Sequence, residues 1–294
     1  GGFVIKEWTK SQSGFNDMQL CQAPSEGISD TSRVLGLIWN SKEDLLGYSV
    51  KINFSPRRRK ARVGSNLSVE NLEENFPSEI TQRIILSQLN SFYDPLGLAT
   101  PFIVQAKIMM RRLHTYKLGW DDPIPHQDRD DWLKFFKALF DMEQLRFPRT
   151  IKPSETNDAP PVLIVFSDAS EDGYGTCAYV RWETNKDGFV SRLLVAKSRL
   201  APIKKKTIPR LELNAALMGA RLGEFIKTQT RLNFSRTYYI VDSEIVRAQI
   251  QRESYGFNTF VGVRVGEIQN KTHKEEWYWI EGSSNIADII SRGK

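Results

Sequence analysis

Long hydrophobic runs are missing from this 294-residue chain. The longest quiet stretch, Pro95 to Ala106, is broken by Pro101 and falls short of the roughly 18 to 20 apolar residues that a membrane-spanning helix needs. No membrane is expected as a partner. Cysteine is almost absent. Cys21 and Cys177 stand far apart, and Cys177 lies in an apolar run, Thr176-Cys177-Ala178-Tyr179-Val180, that reads as a buried strand. Reduced thiols and an intracellular location are expected, with a cytoplasmic particle and the nucleus equally compatible. Three histidines and two distant cysteines give no zinc-type ligand spacing. The chain opens Gly1-Gly2-Phe3, without an initiator Met, a basic start or an apolar signal core, and a fragment of a longer protein is expected.

What the chain has is charge and enough apolar content for two cores. Forty-one Lys and Arg against thirty-five Asp and Glu leave a formal charge of +6, which favours a polyanionic partner. An apolar fraction of 40% with 26% charged residues excludes disorder and fibres and suits one large or two ordinary globular domains.

The first half reads as mainly helical with a β-hairpin. Arg33 to Trp39 and Leu45 to Phe54 form the hairpin across the polar turn Asn40 to Asp44. Helices are expected over Pro77 to Phe92, Pro101 to Leu118 and Asp128 to Phe140, the last with Trp132, Phe135, Phe136 and Leu139 inward. Proline and small polar residues cluster from Pro148 to Pro161, and the linker is placed at 148–161. Beyond it the pattern turns mixed. Strands are expected at Val162 to Phe166, Thr176 to Trp182 and Val190 to Val195, then a long helix from Pro209 to Lys227. A strand Tyr238 to Val241, a helical region from Ser243, a strand Trp277 to Ile280 and a final helix from Ser284 follow. The fold class is α/β, a mixed five-stranded sheet flanked by helices over 162–294, preceded by the mainly helical region 1–147.

Four acids of the second half occupy unusual places. Asp168 follows a run of apolar strand residues, and Asp242 does the same after Tyr238-Tyr239-Ile240-Val241. If the intervening helix is a crossover, both strands are parallel and both carboxylates emerge at one sheet edge. Glu212 sits in the first turn of the long helix, whose apolar stripe is expected to run Leu211, Ala215, Met218, Leu222, Phe225. It begins a small-residue flank, Ala216, Gly219, Gly223, that would let the helix lie close to the sheet. Asp288 lies in an otherwise apolar final helix, about one turn in. Singly, such acids cap helices or complement the helix dipole. Converging, they repel unless a cation neutralises them, and hard oxygen ligands suit Mg²⁺ or Mn²⁺. Two such ions about 3.5 to 4 Å apart make a phosphodiester-cleaving site.

The second domain resembles ribonuclease H, with Asp168, Glu212, Asp242 and Asp288 matching in order the Asp-Glu-Asp-Asp metal ligands of that fold. More narrowly, the chain resembles the reverse transcriptase and RNase H portion of a Bel/Pao retrotransposon polyprotein. The residues that carry this are Gly2 to Trp8, Val34-Leu35-Gly36-Leu37-Ile38-Trp39, Phe92-Tyr93-Asp94-Pro95-Leu96-Gly97-Leu98, Thr207-Ile208-Pro209-Arg210-Leu211-Glu212-Leu213 and Asn285 to Gly293. The resemblance implies that 1–147 is the end of the polymerase palm with thumb and connection-like helices. No Tyr-x-Asp-Asp is present, so no polymerase active site is expected in this chain. It further implies an endonuclease that cuts the RNA strand of RNA–DNA hybrids with two Mg²⁺ or Mn²⁺ ions, working beside the remainder of the polyprotein. Asp168 and Asp242 would serve both ions, Glu212 the ion nearer the leaving group, and Asp288 the ion that activates water.

The surroundings are less marked. Lys204, Lys205 and Lys206 precede the helix of Glu212 and could hold a phosphate backbone, as could Arg57, Arg58 and Arg59 in the first half. Ser170, Asn214 and Ser243 adjoin the acids and could bind 2′-OH groups, although helix capping is the commoner use. Trp277, Tyr278 and Trp279 read as mostly core. Retroviral and cellular RNase H domains usually carry a His before the last acid; here Ile280 to Asn285 has none, His273 comes too early, and Glu281 could substitute in part. Two other readings stay open: a nucleic-acid-binding module of the same fold without activity, and an aspartic peptidase. The second lacks its Asp-Thr/Ser-Gly pair, the nearest matches being Asp30-Thr31-Ser32 and Asp242-Ser243-Glu244.

Overall fold

In the computed structural model, which describes residues 31–34, 37–58, 61–186 and 188–293, the polar run after Asn40 does make a turn. Trp39 Nε1 donates to Asp44 Oδ1 across it at 3.0 Å, and Asp44 takes the left-handed φ of 55° that closes it. The strands so joined are β2 (Leu37–Asn40) and β3 (Leu45–Gly47), with β1 (Thr31–Val34) added antiparallel to β2. Two short strands, β4 (Arg57–Arg58) and β5 (Ala61–Arg62), form a separate ribbon. Then come α1 (Val69–Leu72), α2 (Gln82–Leu89), α3 (Thr100–His114), α4 (His126–Leu139) and β6 (Arg146–Pro148). Trp132, Phe135, Phe136 and Leu139 face inward as expected, and Phe136 packs with Trp132, Phe76 and Phe54.

The chain divides into two units, and the division corrects the expected boundaries. Unit 1 takes the described residues of Gly1–Asp94 together with Lys117–Thr150, and unit 2 takes Pro95–Tyr116 with Ile151–Lys294. Helix α3, expected within 1–147, thus belongs with the later sheet: it packs on β9 and α8, defined below. The expected linker is not a tether either. Pro148 still pairs with Leu45 in β6, and beyond it Asn157 N donates to Glu183 O at 3.0 Å while Thr156 is buried and bridges Thr184. Its prolines set the path of a packed segment rather than free it. Gly2 to Trp8, Cys21, Asp30 and Arg59 lie outside the described residues.

Unit 2 is built on β7 (Val162–Ala169), β8 (Gly173–Glu183), β9 (Phe189–Leu200), β10 (Arg236–Val241) and β11 (Trp277–Trp279). Their order is β11-β10-β7-β8-β9, with β11, β10 and β7 parallel and β8 antiparallel to both neighbours. This is the mixed five-stranded sheet expected of the RNase H-like class. The helices are α5 (Ile208–Gln229), α6 (Glu244–Gln251), α7 (Thr259–Lys271) and α8 (Asp288–Arg292).

Period-2 alternation sorts the strands onto two faces. Leu163, Val165, Ala178, Val180, Tyr239 and Val241 join the large core under α5 to α7, while Phe166, Cys177 and Tyr179 join a smaller cluster with Ala287 and Ile290 of the α8 region. Helix α5 lies on the sheet through the small flank. A Cβ at Gly219 would stand 2.4 Å from Ser167 Oγ, and one at Gly223 2.3 Å from the Tyr239 hydroxyl, so side chains there would lift the helix. The stripe itself is centred differently from expectation. Leu211, Ala215 and Leu222 are buried, but Met218 is half-buried and Phe225 is 57% exposed; Leu213, Ala216, Leu217 and Ala220 take the inner face instead.

Candidate active site

Asp168 is the penultimate residue of β7 and Asp242 follows the last residue of β10, its parallel neighbour. A crossover through α5 makes these strands parallel, and parallel strands end at the same edge. Asp168 is buried at 4% exposure. Burial lifts its carboxyl to about 6; the Ser291 hydroxyl bonded to its Oδ2 opposes the rise, and the charges of Asp242 and Asp288 add to it. A carboxyl responding in this way has both aspartates beside it.

Glu212 is the fifth residue of α5, just past the expected first turn, because the helix begins at Ile208 after Thr207, with Pro209 presetting its opening φ. Ser243 Oγ, the N-cap of α6, donates to Glu212 Oε2 at 2.6 Å and accepts from Val246 N at 3.3 Å. Burial raises the pKa of Glu212, the Ser243 bond lowers it, and the charge of Asp168 raises it. Asp288 is the first residue of α8 rather than a turn into it, because Gly282–Ser284 spends the preceding residues on a 3-10 turn. Arg292, one turn on, is bonded to its Oδ1.

The four acids thus gather at one end of the sheet, from β7, α5, the end of β10 and α8. Among the described residues, no group of three or more His, Cys, Asp or Glu side chains stands ready to hold a metal ion. Ser243, Ser291 and Arg292 each bond one oxygen, of Glu212, Asp168 and Asp288 respectively. The donor set is nevertheless all hard carboxylate oxygen, and Asp168 is raised first by burial and then by the neighbouring charges of Asp242 and Asp288.

The other expected contacts separate. Ser170 is buried, donates to Ser291 O at 2.9 Å and accepts from Asp172 N and Gly173 N, so its hydroxyl serves the β7–β8 turn rather than a ligand. Ser243 is a buried cap. Asn214 accepts from Arg264 Nε at 2.7 Å. Lys204, Lys205 and Lys206 are exposed before α5, with Lys206 Nζ 5.3 Å from the Phe260 ring centre. Arg57 and Arg58 belong to unit 1. His273 caps the 3-10 turn before β11, and Glu281 is exposed before the turn at 282–284. The aromatic triplet departs from expectation: Trp277 is core, but Tyr278 is 44% and Trp279 43% exposed, because β11 is an edge strand. Trp279 Nε1 donates to Asp242 O at 2.9 Å.

Residues to which the sequence reading gave no role of their own also support the site. Ser291 and Arg292 stand three and four positions after Asp288, the helical spacing that places them on its face. Asn285, buried, donates to Ser167 O at 3.0 Å and so ties the approach to α8 to the end of β7.

A family model described as Pao retrotransposon-like RNaseH-like domain matches residues 81–243. Curated proteins give no match. Among solved structures, the chain is similar to the N-terminal RNase H domain of a Mycobacterium tuberculosis protein, solved as a fusion with maltose binding protein. The identity is 13%, covering 45% of this chain and 94% of that one, with a TM-score of 0.31. RNase H1 from the halophilic archaeon Halobacterium salinarum matches at 13% identity, over 45% of this chain and 94% of that one, with a TM-score of 0.28. A foamy viral protease-reverse transcriptase in complex with double-stranded DNA matches at 13% identity, over 72% of this chain and 36% of that one, with a TM-score of 0.28.

Proposed function

We propose, for a chain that belongs to the Pao retrotransposon-like RNaseH-like domain family, that unit 2 is a divalent-metal-dependent endonuclease cutting the RNA strand of RNA–DNA hybrids. The observation that carries this reading is the buried Asp168, whose carboxyl is pushed up by burial and by Asp242 and Asp288 while it in turn raises Glu212. Such a cluster costs stability, and a site that keeps it has a use for cations there. Asp168, Glu212, Asp242 and Asp288 are the residues that would hold Mg²⁺ or Mn²⁺. Bound there, two ions would supply activation of water and charge stabilisation at the leaving oxygen.

The chain's own groups prepare the acids. Ser243 and Ser291 keep one oxygen of Glu212 and of Asp168 oriented, and Arg292 restrains Asp288. The exposed Lys204, Lys205 and Lys206 lie just before α5, where a phosphate backbone approaching the acids would meet them. The partners implied are an RNA–DNA hybrid and the rest of a reverse transcriptase polyprotein, in the cytoplasm or nucleus.

Hybrid cleavage by the full chain in Mg²⁺ or Mn²⁺ tests the proposal. Asp168→Asn and Asp242→Asn are expected to drop the product below detection with the thermal transition retained; undiminished cleavage by either variant removes the proposal. Because the acids are held by hydroxyls and Arg292 among the described residues, a silent hybrid-binding module is the second reading. It predicts a gel shift with hybrid and no product in Mn²⁺ from the unaltered chain.

A further inference from the structure

We propose that α3 is a brace for the acid site, and that Arg111 is the positioning residue through which it acts on Asp168. This rests on the nuclease reading above for its catalytic consequence, though not for its structural one.

Helix α3 is separated from β7 in sequence by Lys117–Thr150 of unit 1, yet it is part of unit 2. Just before it, Leu96 O accepts from Ala196 N at 2.9 Å, which fastens the approach to α3 onto β9. Lys107 Nζ reaches Ser198 Oγ at 3.2 Å. One turn further, the Arg111 guanidinium pairs with the Asp172 carboxylate and donates to Asp172 O at 2.9 Å and to Ala201 O at 3.5 Å. A single planar fork therefore joins α3 to the β7–β8 turn and to the segment that leads into α5.

From Asp172 a chain of bonds runs inward. Asp172 N and Gly173 N both donate to Ser170 Oγ at 3.2 Å; Ser170 Oγ donates to Ser291 O at 2.9 Å; Ser291 Oγ is bonded to Asp168. Ser170 and Ser291 are buried, so water does not compete for these bonds. At the far end of α8, Gly293 lies against Val104 and Gln105 of α3. The five-residue α8, too short to persist alone, is thus held from α3 at one end and from the turn through Ser170 at Ser291. Asp168 and Asp288 are both positioned by a helix that precedes the sheet in sequence.

Arg111 has a competing role. With Arg112, Lys205 and Lys206 it lines a cavity of about 640 Å³, where it could contact a phosphate directly. The two roles differ in kinetics. A brace sets the metal requirement and kcat, whereas a phosphate contact sets KM for the hybrid and its salt dependence.

The test uses the full chain with Arg111→Ala, Arg111→Lys and Asp172→Asn. The Asp172 side chain is 51% exposed, so losing its partner leaves it in water rather than stranded, and the variants are expected to fold. In Arg111→Ala, amide exchange at Asp172, Gly173 and Ser291 should accelerate about tenfold while the β10 amides stay unchanged. The half-saturating Mn²⁺ concentration for hybrid cleavage should rise about threefold or more, with KM for hybrid unchanged. Asp172→Asn should move the same way, and Arg111→Lys should fall between, since an ammonium keeps the charge but lacks the planar, pre-organised fork that pairs with carboxylate and carbonyl. Unchanged exchange at those amides overturns the proposal. So does a higher KM at an unchanged Mn²⁺ requirement, which makes Arg111 a substrate contact. If the unaltered chain cleaves no hybrid, the nuclease reading fails by itself, and the exchange measurement still decides the brace.

Discussion

One face of the sheet in unit 2 is covered by helices interleaved with its later strands, α5, α6 and α7, over a continuous core running from Leu163 and Val165 through Trp182 to Trp277. The other carries the small cluster of Cys177, Ala196, Ala287 and Ile290 beneath α8 and beside α3. Glu212 belongs to the first face. Asp168 and Asp242 leave their strands, by alternation, on the second, where Asp288 also stands. The well-packed face fixes the platform, and the sparse face carries most of the charge. Burying Asp168 among three half-buried acids is tolerable where less apolar packing depends on their surroundings.

Substitutions that test each face should separate them. Trp182→Ala removes one of the two tryptophans of the broad core, 1% exposed in β8, and should cost about 3 to 5 kcal/mol, lowering the urea midpoint of unit 2. Ile290→Ala on the other face should cost about 2 to 3 kcal/mol, at the low end because the short α8 can settle into the space. Its distinctive effect should be local: faster amide exchange in α8 and at Gly175, whose Cα faces Ile290, with β10 unchanged. Equal, global losses from both variants would abolish the distinction between the faces.

The sequence exposed the first face better than the second. Strand ends at Asp168 and Asp242, the helix bearing Glu212 and the glycine flank at Gly219 and Gly223 are local patterns, and each is found where periodicity puts it. The covering of the second face is not local. Nothing in Thr100–His114 says that it leaves its sequence neighbours for β9 and α8. Nor does an apolar stripe tell where a sheet ends beneath a helix. Phe225, counted as inner, is exposed with the Lys197 ammonium 5.5 Å from its ring centre, while Leu213 and Leu217 are core. Trp279 read as core for the same reason, since edge position is a property of the assembled sheet. The roles of Ser170 and Ser291 follow only from coordinates: one short hydroxyl serves a turn, the other an acid 123 positions away.

The charged face should show itself in pH dependence. The Asp168 carboxyl titrates at about 6 in the folded protein against 3.8 for the ordinary group. Between those values the folded state keeps a proton that the unfolded chain has released. Stability from this group is therefore fully present below about pH 4 and lost as pH rises through about 6, by roughly 1 to 3 kcal/mol. In chelator, Asp168→Asn should be flatter than the unaltered protein over this window and more stable above it. Millimolar Mn²⁺ should return the lost stability above pH 6 to the unaltered protein and not to the variant. Parallel curves for the two proteins in chelator would mean that Asp168 carries no unrelieved charge.

The smallest effect concerns Cys177, which lies under Ala287 and Ile290 at 2% exposure. Burial pushes its thiol up to about 12, and the thiolate is the reactive form. In a Cys21→Ser background at pH 8, a thiol reagent should label Cys177 at least about a hundredfold more slowly than a free thiol, with no change in stability required. Ile290→Ala should speed that labelling and Trp182→Ala at matched residual stability should not, because the first opens the face on which the sulfur lies and the second empties the opposite one. If labelling instead follows global stability in both variants, the thiol reports only complete unfolding, and the sparse face opens no more readily than the dense one.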